Sequence, residues 1–324
     1  MEIAAVFQLM EQDLKRVEQQ FEENLRSEVS LIPTIGRYIL QSGGKRVRPL
    51  LLLLSARLCG YRGEHAVPLA SIVEFIHTAT LLHDDVVDNA NLRRGQRAAN
   101  TVWGNSASVL VGDFLFSKSF SLMVATGDIR VLKSMSDATT RLAEGEVLQL
   151  LKTCDVEISE EEYLEVVINK TAVLIAAACE MGALLGNAPA AGVEALYQFG
   201  MEVGIAFQLM DDCLDYIANA EEFGKAVGAD LREGKITLPL IHTIRSCTDR
   251  ERHAIRTVVE KDVLEEDELD LVMQLIRKYE GIEFTRREAE RRIDSAISRL
   301  AILDEATERS ALESVARYVV SRTR

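Results

Sequence analysis

FIHTATLLHDDVVD, residues 75–88, is an apolar run that closes on three aspartates, Asp84, Asp85 and Asp88. FQLMDDCLDY, residues 207–216, repeats the pattern with Asp211, Asp212 and Asp215. Each copy is D-D-x-x-D. At 3.6 residues per turn the first and last aspartate of each copy share one helix face, one turn apart. An acidic patch of this spacing is, taken alone, most often a solvated helix face. Here Leu, Val, Met, Phe and Ile flank both copies, which argues for burial, and buried carboxylates must be paired or bound to metal. Neither copy has the glycine and acidic spacing of a calcium-binding EF-hand loop. Magnesium suits them better, because it takes few protein carboxylates and completes its octahedron with water and substrate phosphates.

The rest of the chain is in keeping with helices. It has 324 residues, 48% hydrophobic, with 5 prolines and 19 glycines. Ala, Leu, Glu and Arg abound, which favours an all-α fold. The net charge of -14 argues against nucleic acid as a partner. The five cysteines, Cys59, Cys154, Cys179, Cys213 and Cys247, are odd in number and form no C-x-x-C, so free thiols in a reducing compartment are expected. The amphipathic N-terminus lacks the basic start and apolar core of a signal peptide, and no unbroken apolar run reaches spanning length. A soluble, cytoplasmic protein is expected.

Apolar spacing predicts a helix over residues 2–28, and Pro33 starts a second that stops at Ser42-Gly43-Gly44. Pro49 suits the first turn of the next, over 50–59. Residues 89–95 read as a polar, basic loop. Long helices are predicted over 100–125 and 128–151. Ser159 with Glu162 reads as a capping box opening the helix that carries Lys170, and Pro189 opens the helix with the second aspartate cluster. Residues 218–235 form the longest irregular stretch. Pro239 opens another helix, followed by four amphipathic ones. No strand-period alternation of useful length and no linker occur, so one domain over 1–324 is expected.

If phosphates are present, cations should converge on the aspartates. The candidates are Lys45 and Arg48 after the Gly-Gly pair, Arg93 and Arg94 just past Asp88, Lys170 beside Thr171 in an apolar helix, and Lys225 and Lys235 after Asp215. Singly, each reads as a surface cation. Paired guanidiniums five residues beyond a metal motif are less easily so read, because they recognise phosphate oxygens bidentately. His77 precedes Asp84 by two turns, about 10 Å along the axis. Gln208 shares a face with Asp211 and Asp212.

GGKRVRP at 43–49, EFIHTATLLHDDVVD at 74–88, LRRG at 92–95, GNSASVLVGDF at 104–114, KT at 170–171, FQLMDDCLDY at 207–216 and VGADLREGKITLPL at 227–240 occur in this order. Together they make the chain resemble the trans-isoprenyl (polyprenyl) diphosphate synthases, and within them the octaprenyl diphosphate synthases of bacteria. The resemblance covers nearly the whole chain. It implies antiparallel helices around a deep central cavity, a homodimer, and condensation of isopentenyl diphosphate onto an allylic diphosphate, farnesyl diphosphate being the expected primer. It implies that Lys45, Arg48, His77 and Arg94 hold isopentenyl diphosphate. Arg93, Lys170, Thr171, Gln208, Lys225 and Lys235 would hold the allylic diphosphate. Asp84, Asp88 and Asp211 would ligate Mg²⁺, with Asp85, Asp212 and Asp215 in support. Asp84, Asp85, Asp88, Lys170, Asp211 and Lys225 are the catalytic candidates. An octaprenyl-type product for a quinone side chain is expected, with membrane contact only where product leaves.

The positions five and four before Asp84 are Ala79 and Thr80, both small. Bulky aromatics there close the product tunnel in short-chain relatives, so small residues imply a long product. Ile72 and Ile76 continue that face, and Met123 and Met135 are candidate floor residues, with ordinary core packing the competing account of all four. Three rival readings remain at this point. A terpene cyclase would not need a second diphosphate site or cations at 45, 48 and 94. A non-catalytic subunit is expected to lose aspartates, and both motifs are complete. A magnesium-dependent phosphohydrolase leaves the apolar residues below Asp84 unexplained.

Overall fold

The computed structural model describes residues 1–44, 46–217, 228–261 and 264–321. These residues are almost wholly helical, as expected, and fall into two compact units. The first comprises Met1–Asp137, Leu174–Gly200 and Arg299–Val315, and the second Ala138–Val173, Met201–Ser298 and the residues from Ala316 on.

The first unit is built on α1 (Ile3–Asn24), α2 (Leu31–Gln41), α3 (Val47–Leu58) and α4 (Ala66–Val87). Next come α5 (Ala99–Trp103) and α6 (Asn105–Val124). Helix α4 is its axis. Leu69, Ile72, Val73, Phe75, Ile76, Ala79 and Leu82 are all fully buried. Each large apolar side chain buried in this way contributes about 1.5–3 kcal/mol relative to exposure. Phe75 meets Phe21 of α1 with ring centroids 4.3 Å apart, and the same core takes in Ile35 and Ile39 of α2 and Val111 and Leu115 of α6. Helices α4 and α6 come close at Gly112, where a Cβ would lie 2.3 Å from His83 Nε2.

Two sequence expectations are corrected here. The helix expected over 100–125 is broken at Gly104 (φ 84), which separates α5 from α6. The loop expected over 89–95 contains a minimal hairpin, β1 (Leu92–Arg93) and β2 (Gln96–Arg97), antiparallel with Leu92 opposite Arg97. Strands of two residues carry no readable alternation. Arg94 (φ 50) and Gly95 (φ 78) form its two-residue turn, both in the left-handed region that such hairpin turns demand.

Helices α7 (Ile129–Lys152), α10 (Ala190–Ile217) and α16 (Thr307–Ser321) have residues in both units, and α9 (Val173–Leu185) lies almost wholly in the first. The second unit holds α8 (Glu160–Val167), α11 (Ala229–Arg232), α12 (Leu238–Ser246), α13 (Asp249–Val259), α14 (Glu266–Lys278) and nearly all of α15 (Gly281–Arg299). The capping box read at Ser159 is present: Ser159 N donates to Glu162 Oε2 at 2.8 Å, and Glu162 N donates to Ser159 Oγ at 3.1 Å. The helix it opens is not uniform. Residues Ile168–Ala172 form a π-helical turn between α8 and α9.

Three helices, Ala66–Val87, Asn105–Val124 and Glu160–Leu185, are long and apolar enough to cross a membrane by length and composition, which corrects the expectation that none is. Two of them are apolar because they form core: the most apolar windows of Ala66–Val87 and Glu160–Leu185 are 67% and 72% buried. The corresponding window of α6 is only 33% buried.

Candidate active site

The two aspartate motifs divide in the same way. At 100° per residue the middle aspartate of D-D-x-x-D points away from the face shared by the outer two. Asp85 is fully buried and Asp212 nearly so, while Asp84, Asp88, Asp211 and Asp215 are all partly exposed. Each middle aspartate has a dedicated anchor. Asp85 Oδ1 accepts from Arg93 Nε at 2.8 Å and pairs with its Nη2 at 2.7 Å. Asp212 accepts from Gln208 Nε2 at 2.8 Å and from the hydroxyl of Tyr163. Burial, reinforced by the charges of Asp230 and Asp211, pushes the Asp212 carboxyl well above the usual carboxylate range.

In the first unit the cations gather around the middle of α4. Arg46, Arg48, Arg93 and Arg94 are near enough to His77 to act on its titration, and with burial, the largest cause, they hold its pKa well below 6.5. His77 is therefore a neutral imidazole. Glu74, one turn earlier on α4, is buried among the same arginines, and its carboxyl is raised because burial outweighs them. Arg46 is the strut of this cluster. Its backbone is left-handed (φ 49), and its guanidinium reaches Glu74 Oε2 at 3.3 Å, Leu40 O at 3.0 Å and Glu18 Oε1 at 3.5 Å. It ties the loop before α3 to α1, α2 and α4. Arg94 donates to Gly43 O, and a Cβ on Gly44 would lie 3.0 Å from Arg94 Nη1. The Gly-Gly pair thus lets backbone lie against a guanidinium. Tyr38 Oη donates to Arg97 O at 2.7 Å and Asn100 Nδ2 to Asp85 O at 2.9 Å, which fix the hairpin bearing Arg93 and Arg94.

In the second unit a cavity of about 130 Å³ is lined by Lys170, Thr171, Gln208, Asp212, Asp230 and Lys235 among others. Four of these residues were singled out from sequence for one substrate group, and the fold brings them together. Lys170 Nζ lies 2.7 Å from Glu146 Oε2, and Lys235 Nζ lies 2.6 Å from Glu233 Oε2. Thr171 Oγ1 donates to Gln208 Oε1 at 2.9 Å. Asp215 accepts from the backbone N–H groups of Ala229 and Asp230, both at 3.2 Å, and so caps α11. Lys170 and Thr171 ride on the π-helical turn, and two glycines clamp that turn. A Cβ on Gly145 would lie 2.7 Å from Lys170 N, and one on Gly204 would lie 2.5 Å from Ala172 Cα. Such single π turns recur at functional sites.

Sequence reasoning missed Arg46, Glu74 and Tyr163. The only signal for Glu74 was a polar residue in an apolar helical stretch, and Tyr163, which follows three glutamates, carried none. Lys45 and Lys225 lie outside the described residues. Of the residues proposed for product length, Ala79, Met123 and Met135 are buried in the first unit, Ala79 in the core that holds Phe21 and Phe75. Thr80 is partly buried, and its Oγ1 donates to His77 O at 2.8 Å.

The sequence profile of the polyprenyl synthetases matches residues 29–276. Octaprenyl diphosphate synthase of Escherichia coli (strain K12) is 43% identical over 324 residues, the whole of both chains. A polyprenyl synthase from Caulobacter crescentus CB15, solved with calcium and isoprenyl diphosphate, superposes with a TM-score of 0.96 at 41% identity, covering 100% of this chain and 98% of that one. A decaprenyl diphosphate synthase from Rhodobacter capsulatus superposes with a TM-score of 0.94 at 43% identity, covering 99% of each chain.

Proposed function

We propose that this chain, which belongs to the polyprenyl synthetase family, extends farnesyl diphosphate with isopentenyl diphosphate to an octaprenyl-type product for a quinone side chain, using Mg²⁺. It has the isoprenoid synthase fold and is a prenyltransferase that condenses isopentenyl diphosphate onto an allylic diphosphate in a metal-dependent reaction. The observation that carries the residue assignments is the cavity of the second unit, where two lysines, a threonine hydroxyl and a glutamine amide meet beside Asp212.

The aspartates fit a divalent cation. Among the described residues no three His, Cys, Asp or Glu side chains converge into a metal site of their own. Carboxylates presented one helical turn apart, Asp84 with Asp88 and Asp211 with Asp215, suit a hard cation that fills its remaining positions with water and phosphate oxygens. Bound there, Mg²⁺ would neutralise the charge that develops on the departing diphosphate.

Lys170 and Lys235 would exchange their carboxylate partners for the oxygens of the allylic diphosphate, with Lys225 as a third cation, and stabilise it as it leaves. Thr171 and Gln208 would orient it. In the first unit Arg48 and Arg94, with Lys45, would receive the diphosphate of isopentenyl diphosphate. His77, neutral and surrounded by arginines, would add a hydrogen-bonding group without adding charge. The double bond attacks the allylic cation, the departed diphosphate takes the proton lost as the new double bond forms, and apolar walls must exclude water while the cation exists. Ala79 and Thr80 would leave the path of the growing chain open.

We propose further that residues 1–324 work as one catalytic domain, because the condensation requires both aspartate motifs. The chain would act in the cytoplasm and touch a membrane only to release product. A second copy of the chain would cover α6, whose Leu110 and Val124 are 67% and 64% exposed.

Mass spectrometry of the product made from farnesyl diphosphate and labelled isopentenyl diphosphate tests the reading. An all-trans octaprenyl diphosphate is expected from the wild type, and a much shorter product from Ala79→Phe. No incorporation of label would sink the assignment. A decaprenyl product would correct the length alone.

A further inference from the structure

We infer that Tyr163 is a positioning residue for the allylic diphosphate, acting through Asp212 and Gln208. The inference rests on reading the second unit's cavity as the site of that diphosphate. Tyr163, Asp212, Gln208 and Thr171 all line this cavity. They form one hydrogen-bonded chain. Thr171 Oγ1 donates to Gln208 Oε1 at 2.9 Å, Gln208 Nε2 donates to Asp212 Oδ1 at 2.8 Å, and Tyr163 Oη donates to Asp212 Oδ2.

Each link constrains the next. Tyr163 is 5% exposed and Asp212 1%, so water does not replace the phenol as the donor to Oδ2. With both carboxylate oxygens occupied, Asp212 is held in one rotamer. It then fixes which end of the Gln208 amide faces it, because Asp212 Oδ1 accepts here and only the NH₂ end of the amide donates. The carbonyl end is thereby turned to Thr171, and the direction of its hydroxyl is set. The phenol is thus the far end of a chain whose near end, Thr171, sits beside Lys170. Tyr163 is itself held from outside. It lies one residue past Glu162, whose side chain closes the capping box of α8 and binds Lys152 Nζ at 2.6 Å. The chain crosses from α8 to α10 to the π-helical turn, so it sets the relative position of three backbone segments around one cavity. The parallel in the first motif, Asp85 held by Arg93, shows the same device with a different donor.

The test is a double-variant cycle in the full-length enzyme, with KM for the allylic diphosphate, KM for isopentenyl diphosphate and kcat measured separately. Tyr163→Phe removes one oxygen and leaves the ring. It is expected to raise the allylic KM about tenfold, the worth of one buried hydrogen bond, and to leave the KM for isopentenyl diphosphate within about twofold. Gln208→Leu is expected to raise the allylic KM as well, and the double variant to rise no further than the larger single effect. If Gln208→Leu raises the allylic KM and Tyr163→Phe leaves it unchanged, or raises both substrates' KM alike, the role of Tyr163 is overturned and the cavity assignment stands. If Gln208→Leu has no effect on the allylic KM, the cavity assignment falls and the inference with it. Additive single effects also overturn it. Should Tyr163→Phe not purify folded, Tyr163→His, which keeps a ring donor on a shorter side chain, enters the same cycle, and an unchanged allylic KM counts against the inference.

Discussion

At the scale of single residues, burial and neighbouring charge set the state of an ionisable group. His77 has Arg46, Arg48, Arg93 and Arg94 near it, and burial adds to their effect, so the folded protein holds the ring neutral. The consequence for stability has a definite sign. In the unfolded chain the imidazole takes up a proton as pH falls through about 6.5. The folded protein does not until its depressed pKa is reached. The unfolded state therefore binds more protons in that window, and stability falls as pH drops below about 6.5. His77→Gln removes the titration. Urea unfolding at pH 5, 6 and 7 is expected to show a stability slope shallower than the wild type by up to about 1.4 kcal/mol per pH unit. Parallel slopes would mean that the ring titrates in the fold as it does in the unfolded chain. The spacing of D-D-x-x-D made the outer aspartates readable as a pair, because helical period alone decides which residues share a face. It set Asp85 and Asp212 off that face but did not reveal what holds them buried. That depends on Arg93 and Tyr163, and Tyr163 lies 49 residues from Asp212.

At the scale of elements, the π-helical turn is the least readable and the most consequential feature. Residues 166–178 read as one apolar helix because the extra residue of a π turn leaves no mark in a hydrophobic pattern. Its close neighbours lie elsewhere in the sequence, at Gly145 of α7 and Gly204 of α10, which bring two backbones against the turn. The capping box of α8, by contrast, was legible because both of its partners lie within four residues of sequence. Gly204→Ala would place a Cβ 2.5 Å from Ala172 Cα, and backbone cannot rotate out of the way as a side chain can. The expected cost is about 1–3 kcal/mol of stability, together with a higher KM for the allylic diphosphate, because Lys170 and Thr171 move with the turn. Gly192→Ala in the same helix is the control. Its Cβ would meet nothing closer than Leu303 Cδ2 at 3.4 Å, so it is expected to be neutral or stabilising by up to about 1 kcal/mol. Thermal unfolding and initial-rate kinetics on the two variants separate a backbone clash from a general intolerance of alanine. Equal behaviour would remove the clamping role from Gly204.

At the scale of the whole molecule, composition and motif order were enough to reach an all-α prenyltransferase, because helical patterning extends over nearly every segment and the motifs are ordered along it. Product length is a different kind of property. The octaprenyl and decaprenyl synthases named above are each 43% identical to this chain, so similarity does not discriminate between their products. Assembly depends on surface, and the proposed second copy rests on α6. It is apolar enough to cross a bilayer, yet its most apolar window is only a third buried. An apolar helix face left to water is an association surface. Leu110 is 67% exposed on it, so a charge there costs the folded protomer little and costs a covered interface a great deal. On the proposed dimer, Leu110→Glu is therefore expected to leave helix content and thermal unfolding of the protomer near wild type, while light scattering after size exclusion shows the mass fall from two chains to one. A variant that stays dimeric would mean that the second copy sits elsewhere and that α6 owes its apolar face to another partner.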